Sequence, residues 1–152
     1  MLYKELNIPS IPKEYLIKDE KFLKENFENI SPYPEYNDYQ LYRANDSTLT
    51  GILQPYFNFD LKTNILYQVI KKNIVIHKDV GRSIVYNYIT AVGGNDVRTV
   101  WYTEDKTKEI LSINIPEQIW HSLNVTVYHS VKNIETVRIS LTFFEREIEW
   151  SE

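Results

Sequence analysis

From Leu61 onward the sequence breaks into short β-like stretches, and their spacing constrains the fold more than any other feature of the chain. "TNILYQVI", "IVIHKD", "SIVYNYITAV", "VRTVWYT", "ILSINIP", "HSLNVTVYHSV" and "VRISLTFFE" are rich in β-branched and aromatic residues. Polar or glycine-bearing turns separate them, and Gly93-Gly94-Asn95-Asp96 is the strongest of these signals. A strand buries a face only when another layer covers it, so many short strands with little helix predict a β-sandwich or barrel. A jelly roll is expected, with a few N-terminal helices as cover.

The N-terminal part reads differently. Residues 1–38 form an arm in which the prolines of "NIPSIPKEY" hold the backbone extended. "DEKFLKENFEN" then predicts a short amphipathic helix with Phe22, Leu23 and Phe27 on one side. "SPYPEYNDY" is a loop, "YQLYRA" a strand, and "NDSTLTGILQPYF" a turn leading into a short helix or an irregular segment. No repeat or low-complexity linker interrupts the 152 residues, so one domain is expected over 1–152. Residues 1–60 would be arm and cover, and residues 61–146 the core.

Composition excludes several classes. The chain has no cysteine, which removes disulfides, zinc–cysteine sites and thiol nucleophiles. A net charge of −4 gives no reason to expect nucleic acid as an obligatory partner, which usually calls for a basic face, so nucleic acid is not indicated. No apolar run is long enough to span a membrane. The N-terminus carries an early acidic residue and prolines where a secretory signal needs an apolar run. A cytoplasmic protein is expected, with a host cell's cytosol as the alternative setting. The 12 tyrosines suit a β-rich core and its rim, although Tyr86, Tyr88, Tyr102 and Tyr128 could also shape a pocket.

Chemistry enters with the 3 histidines, His77, His121 and His129. In "IHKD", His77 and Asp79 sit two apart, so on a strand they share one face while Lys78 points away. They are either a structural hydrogen-bonded pair or two ligands for one metal. His129 shares a face with Val125, Val127 and Val131 if "HSLNVTVYHSV" is one strand, and so points inward as a ligand or as a core histidine. Two histidines and a carboxylate make the facial set of non-haem Fe(II) oxygenases. His121 is the rival third ligand, or else a residue behind the site, a contact to substrate or co-substrate, or a histidine on the barrel rim. In "VRISLTFF", Val137, Ile139, Leu141 and Phe143 form one face and Arg138, Ser140 and Thr142 the other. An arginine on a buried face calls for an anion, either a bound carboxylate or a side chain such as Glu145 or Asp60.

His77-x-Asp79, then His129, then Arg138-x-Ser140 resembles the 2-oxoglutarate/Fe(II)-dependent dioxygenase superfamily over roughly residues 65–145. The wider context, "HKDVGRSIVYNYITAVGG", "WHSLNV", "HSV" and "RISL", is similar to small, often phage-encoded members. The resemblance implies a double-stranded β-helix, the cupin-like jelly roll. It implies His77, Asp79 and His129 as Fe(II) ligands and Arg138, assisted by Ser140, as the anchor for 2-oxoglutarate. It places Asn87 in the co-substrate pocket, and it implies a hydroxylase that couples reduction of O2 to decarboxylation of 2-oxoglutarate. Two other classes compete: a metal cupin that does not use 2-oxoglutarate, and a non-catalytic jelly-roll binding or assembly module. The absence of a His-x-His pair counts against the cupin.

Overall fold

The β-like stretches form ten strands among the residues described, 1–25, 39–44, 47–57 and 65–144, in a computed structural model. Two short strands come from the N-terminal region, β1 (Tyr3–Glu5) and β2 (Tyr39–Arg43). The remainder are β3 (Leu66–Ile70), β4 (Ile74–His77), β5 (Ile84–Ala91), β6 (Arg98–Tyr102), β7 (Glu109–Ile113), β8 (Trp120–Asn124), β9 (His129–Lys132) and β10 (Arg138–Phe143). One six-stranded sheet has the order β1-β8-β5-β10-β3-β2, and a four-stranded sheet has the order β4-β9-β6-β7. From β3 to β10 the chain alternates between the sheets except at the β6–β7 hairpin. That alternation is the double-stranded β-helix, so the expected mainly β jelly roll is the observed fold.

The sheets face each other across Val85 and Ile89 of β5, Leu123 of β8 and Trp101 of β6, one buried apolar cluster. A second, larger cluster lies on the opposite face of the six-stranded sheet. There Tyr67, Tyr88, Trp120, Ile139, Leu141 and Phe143 pack against Leu16, Leu23, Leu49, Leu53 and Phe57. These last residues come from α1 (Ile17–Glu25), α2 (Ser47–Leu53) and the segments beside them. The helical cover therefore keeps one face of the large sheet dry, and the tyrosine hydroxyls under it are satisfied locally. Tyr67 donates to Asp19 at 2.9 Å, and the Tyr88 hydroxyl accepts the Ile11 N–H at 3.1 Å. Tyr86 and Tyr88 belong to this covered face and not to the space between the sheets. No helix among the described residues is long and apolar enough to cross a membrane.

Three expectations change in detail. The arm is not merely extended, since Tyr3–Glu5 adds an edge strand to β8 through Tyr3↔Leu123 and Glu5↔His121. In α1 Leu23 is buried but Phe22 is exposed, and Phe27 lies outside the described residues. The largest change is in "HSLNVTVYHSV", which is two strands in two sheets. The Asn124 side chain accepts from the Thr126 N–H at 2.9 Å and from its hydroxyl at 2.6 Å, while the Asn124 carbonyl accepts the Trp101 indole N–H at 2.9 Å. This Asx turn ends β8 and lets the chain cross to the other sheet. β-branched neighbours conceal it, because propensity is the same on both sides of the turn.

Leu141→Ala would leave a cavity between the large sheet and its helical cover. A loss of about 3 kcal/mol in unfolding free energy is expected, read as a lowered urea midpoint with an unchanged slope.

Candidate metal centre and its inner-face neighbours

His77 ends β4 and His129 opens β9, and the two residues are direct cross-strand partners. Their rings lie 4.3 Å apart, centre to centre. Asp79 follows β4, where its N–H bonds the Val125 carbonyl at 3.0 Å, and its Oδ1 lies 3.2 Å from His77 Nε2 and 3.3 Å from His129 Nε2. The three candidate ligand atoms all lie within 4.8 Å of one another. His129 thus faces inward because β9 pairs with β4 and β6, and not because Val125 to Val131 form one alternating strand.

The tautomers are set by backbone. His77 Nδ1–H donates to the Val75 carbonyl at 2.8 Å and His129 Nδ1–H to the Val127 carbonyl at 2.7 Å. A carbonyl can only accept, so each neutral ring keeps its proton on Nδ1 and turns the Nε2 lone pair toward Asp79 Oδ1. Two lone pairs and an anionic oxygen then meet with no proton among them, an arrangement that a cation, whether metal or proton, relieves. Burial alone would pull the His77 pKa down, but its bonds to Asp79 and to the Val75 carbonyl raise it overall. Burial likewise pushes the Asp79 carboxyl up, yet the bonds that His129 and His77 donate when Nε2 carries a proton, together with the Arg82 charge, hold it well below the usual carboxylate range. The donor set fits a divalent transition metal: two imidazoles and one carboxylate, with rings oriented from behind.

A second polar group occupies the inner face of the large sheet. β10 keeps regular register with β3, so Arg138, Ser140 and Thr142 alternate with the covered Ile139, Leu141 and Phe143. Across the sheet Thr142 pairs with Asn87, and Asn87 with His121. Arg138 is only 4% exposed. Among the described residues it has no carboxylate partner, and Glu145 and Asp60 lie outside them. Burial lowers its pKa to about 10, which leaves it charged. The strong turn signal serves this residue: Gly93 has φ +87°, and a Cβ there would sit 2.9 Å from the Arg138 Cβ. Glycine is required on both counts.

His121 is fully buried and stands apart from the three-residue cluster. Its Nδ1–H donates to the Ile119 carbonyl at 3.1 Å. Its Nε2 and the neighbouring Asn87 Oδ1 have no hydrogen-bond partner among the described residues. Burial pulls its pKa down to about 4, with the Arg138 charge acting the same way and the Ile119 bond opposing. Tyr102 and Tyr128 are engaged elsewhere. The Tyr102 hydroxyl bonds Ser130 at 2.7 Å, and the Lys78 and Lys106 ammonium groups lie over the Tyr128 ring at 4.5 and 4.6 Å. Sequence reading does not single out Arg82, whose Nε donates to Asp79 Oδ2 at 2.7 Å. The signal available was a cation three residues beyond Asp79 and directly after a glycine.

No protein-family model matches the sequence, and no curated protein matches it. Solved structures do share the fold. A prolyl-4-hydroxylase from Pseudomonas putida superposes with TM-score 0.63 at 12% identity, over 95% of this chain and 92% of that one. A prolyl hydroxylase from Trichoplax adhaerens, solved with a hypoxia inducible factor oxygen degradation domain peptide fragment, gives 0.60 at 9%, over 93% and 82%. An oxidoreductase of the 2OG-Fe(II) oxygenase family from Burkholderia pseudomallei gives 0.52 at 11%, over 86% and 77%. The double-stranded β-helix of this chain is the fold of these oxygenases.

Because imidazole binds a metal only in its deprotonated form, Mn(II) affinity measured by calorimetry should fall at least about tenfold from pH 7.5 to pH 5.5. His121 carries the opposite burden, for stability. Its pKa is lowered on folding, so its contribution is complete above the unfolded value of 6.5 and is lost as pH falls toward about 4. By pH 5 the loss is on the order of 2 kcal/mol. His121→Phe should flatten this decline when urea midpoints at pH 7 and pH 5 are compared.

Proposed function

We propose that the chain is an oxygenase using Fe(II) and 2-oxoglutarate, and that it hydroxylates its substrate. The observation that carries this reading is a coincidence on the inner surface of one jelly roll. Two imidazole lone pairs and a carboxylate converge at one end of the small sheet, and a buried guanidinium without a carboxylate partner among the described residues stands on the large sheet. The likeness in fold to oxygenases supports it. A metal-binding site alone would not call for the arginine, and an anion site alone would not call for the two backbone-oriented histidines.

In this reading His77, Asp79 and His129 would hold the iron, which when bound supplies the activation of O2 coupled to decarboxylation of 2-oxoglutarate. The Val75 and Val127 carbonyls keep both rings in the ligating tautomer. Arg138 offers a planar fork to the distal carboxylate of the co-substrate, and Ser140, next along the same face, adds a hydroxyl donor. Asn87 and His121 line the same inner face from the adjoining strands. The apolar cluster between the sheets and the helical cover behind them keep bulk water from the site, so that Arg138 acts in a medium where its charge is strongly felt.

Anaerobic titration of the metal-free protein with Fe(II) and then 2-oxoglutarate tests the reading. A visible charge-transfer band is expected only when both are present. Arg138→Ala should raise the 2-oxoglutarate concentration needed by roughly a hundredfold, with Fe(II) affinity changed far less. An Arg138→Ala protein that loses metal more readily than co-substrate would sink the assignment, as would the absence of any band.

A further inference from the structure

We propose that Arg82 is a positioning residue for the metal centre: its Nε holds Asp79 Oδ2 outward so that Asp79 presents Oδ1 alone to a divalent cation. This rests on the metal site proposed above and goes beyond its ligand set.

The Asp79 carboxylate divides its two oxygens between two tasks. Oδ1 faces both imidazole Nε2 atoms, and Oδ2 accepts from Arg82 Nε at 2.7 Å. That distance is characteristic of a charge-assisted bond. A carboxylate free to rotate can offer both oxygens to a cation and take up an additional coordination position. Pinning Oδ2 leaves that position to the reactants.

Local backbone puts Arg82 where it can do this. Gly81 has φ +83°, which turns the chain so that residue 82 comes back beside residue 79. Two hydrogen bonds to one residue lace the loop down: Asp79 N–H to the Val125 carbonyl at 3.0 Å, and Val125 N–H to the Ser83 carbonyl at 2.9 Å. The guanidinium also lies over the Phe144 ring at 5.2 Å, which restrains its plane. The Arg82 side chain is 36% exposed, so its removal opens no buried cavity.

Two substitutions separate positioning from charge. Glutamine carries its side-chain nitrogen on Cδ, where arginine carries Nε, so Arg82→Gln keeps a donor at the same place without the charge. Arg82→Met keeps length and ring contact without a donor. Co(II) serves as the probe, with affinity read by competition against a chelator and coordination read from its visible d–d band. Arg82→Met is expected to weaken Co(II) binding about 10- to 100-fold and to shift the band. Arg82→Gln should restore the wild-type band and most of the affinity. Melting of the metal-free forms should differ little. Arg82→Met that binds Co(II) as the wild type does, with the same band, overturns the proposal. Arg82→Gln that behaves as Arg82→Met overturns it too, because charge alone would then matter. A collapse of metal-free melting in both variants would make Arg82 a prop of the fold and do the same. Wild-type protein that fails to bind Co(II) removes the metal site itself, whereas wild-type binding with an unaffected Arg82→Met removes only the role of Arg82.

Discussion

Asp79 Oδ1 lies 3.2 and 3.3 Å from the Nε2 atoms of two imidazoles whose Nδ1 protons are committed to backbone carbonyls on the far side of each ring. Much of the structure serves that convergence. β4 and β9 must pair in the register that opposes His77 to His129, and the Asp79 loop must be laced to Val125. The small sheet must then close on the large one so that the cluster stays half-buried. A cation bound among these three atoms would relieve their mutual repulsion, and its binding would then be coupled to the folding of the site.

The six-stranded sheet separates apolar packing from polar recognition by strand alternation alone. On β10 the odd positions Ile139, Leu141 and Phe143 lie beneath the helical cover, while Arg138, Ser140 and Thr142 turn toward the other sheet. A strand covered on both faces pays a desolvation penalty for a buried arginine unless an anion pairs with it. Burial of the arginine does raise the stakes, since a charge in such a place must find a partner. On the adjoining strands Asn87 and His121 carry polar atoms without partners among the described residues. In the proposed function that inner face receives the co-substrate, and the covered face only supports it.

Much of this was legible from side-chain type and period. Alternation in "VRISLTFF" separated the two faces of β10, and turn residues at Gly93–Asp96 located a corner that also spaces Arg138. Other features were not. In "HSLNVTVYHSV" residues with equal strand propensity lie on both sides of a sheet change, and a side-chain bond from Asn124 decides where β8 stops. Tyr86 and Tyr88 could not be separated from pocket-lining tyrosines until the helical cover was seen to lie over them. Arg82 escaped notice because its role depends on the positive φ of Gly81 and on which Asp79 oxygen it meets.

The sequence by itself determined the jelly roll, the two faces of its last strand and the residue types offered to a site. Period and turn chemistry act locally, within a few residues, and can be read locally. Only the tertiary structure decided that His77 and His129 oppose each other and that His121 stands apart on the large sheet. It alone decided that each of these two rings is held by the carbonyl two residues before it. The opposition of His77 and His129 depends on cross-strand register between segments some fifty residues apart, where backbone pairing and not side-chain identity chooses the partner.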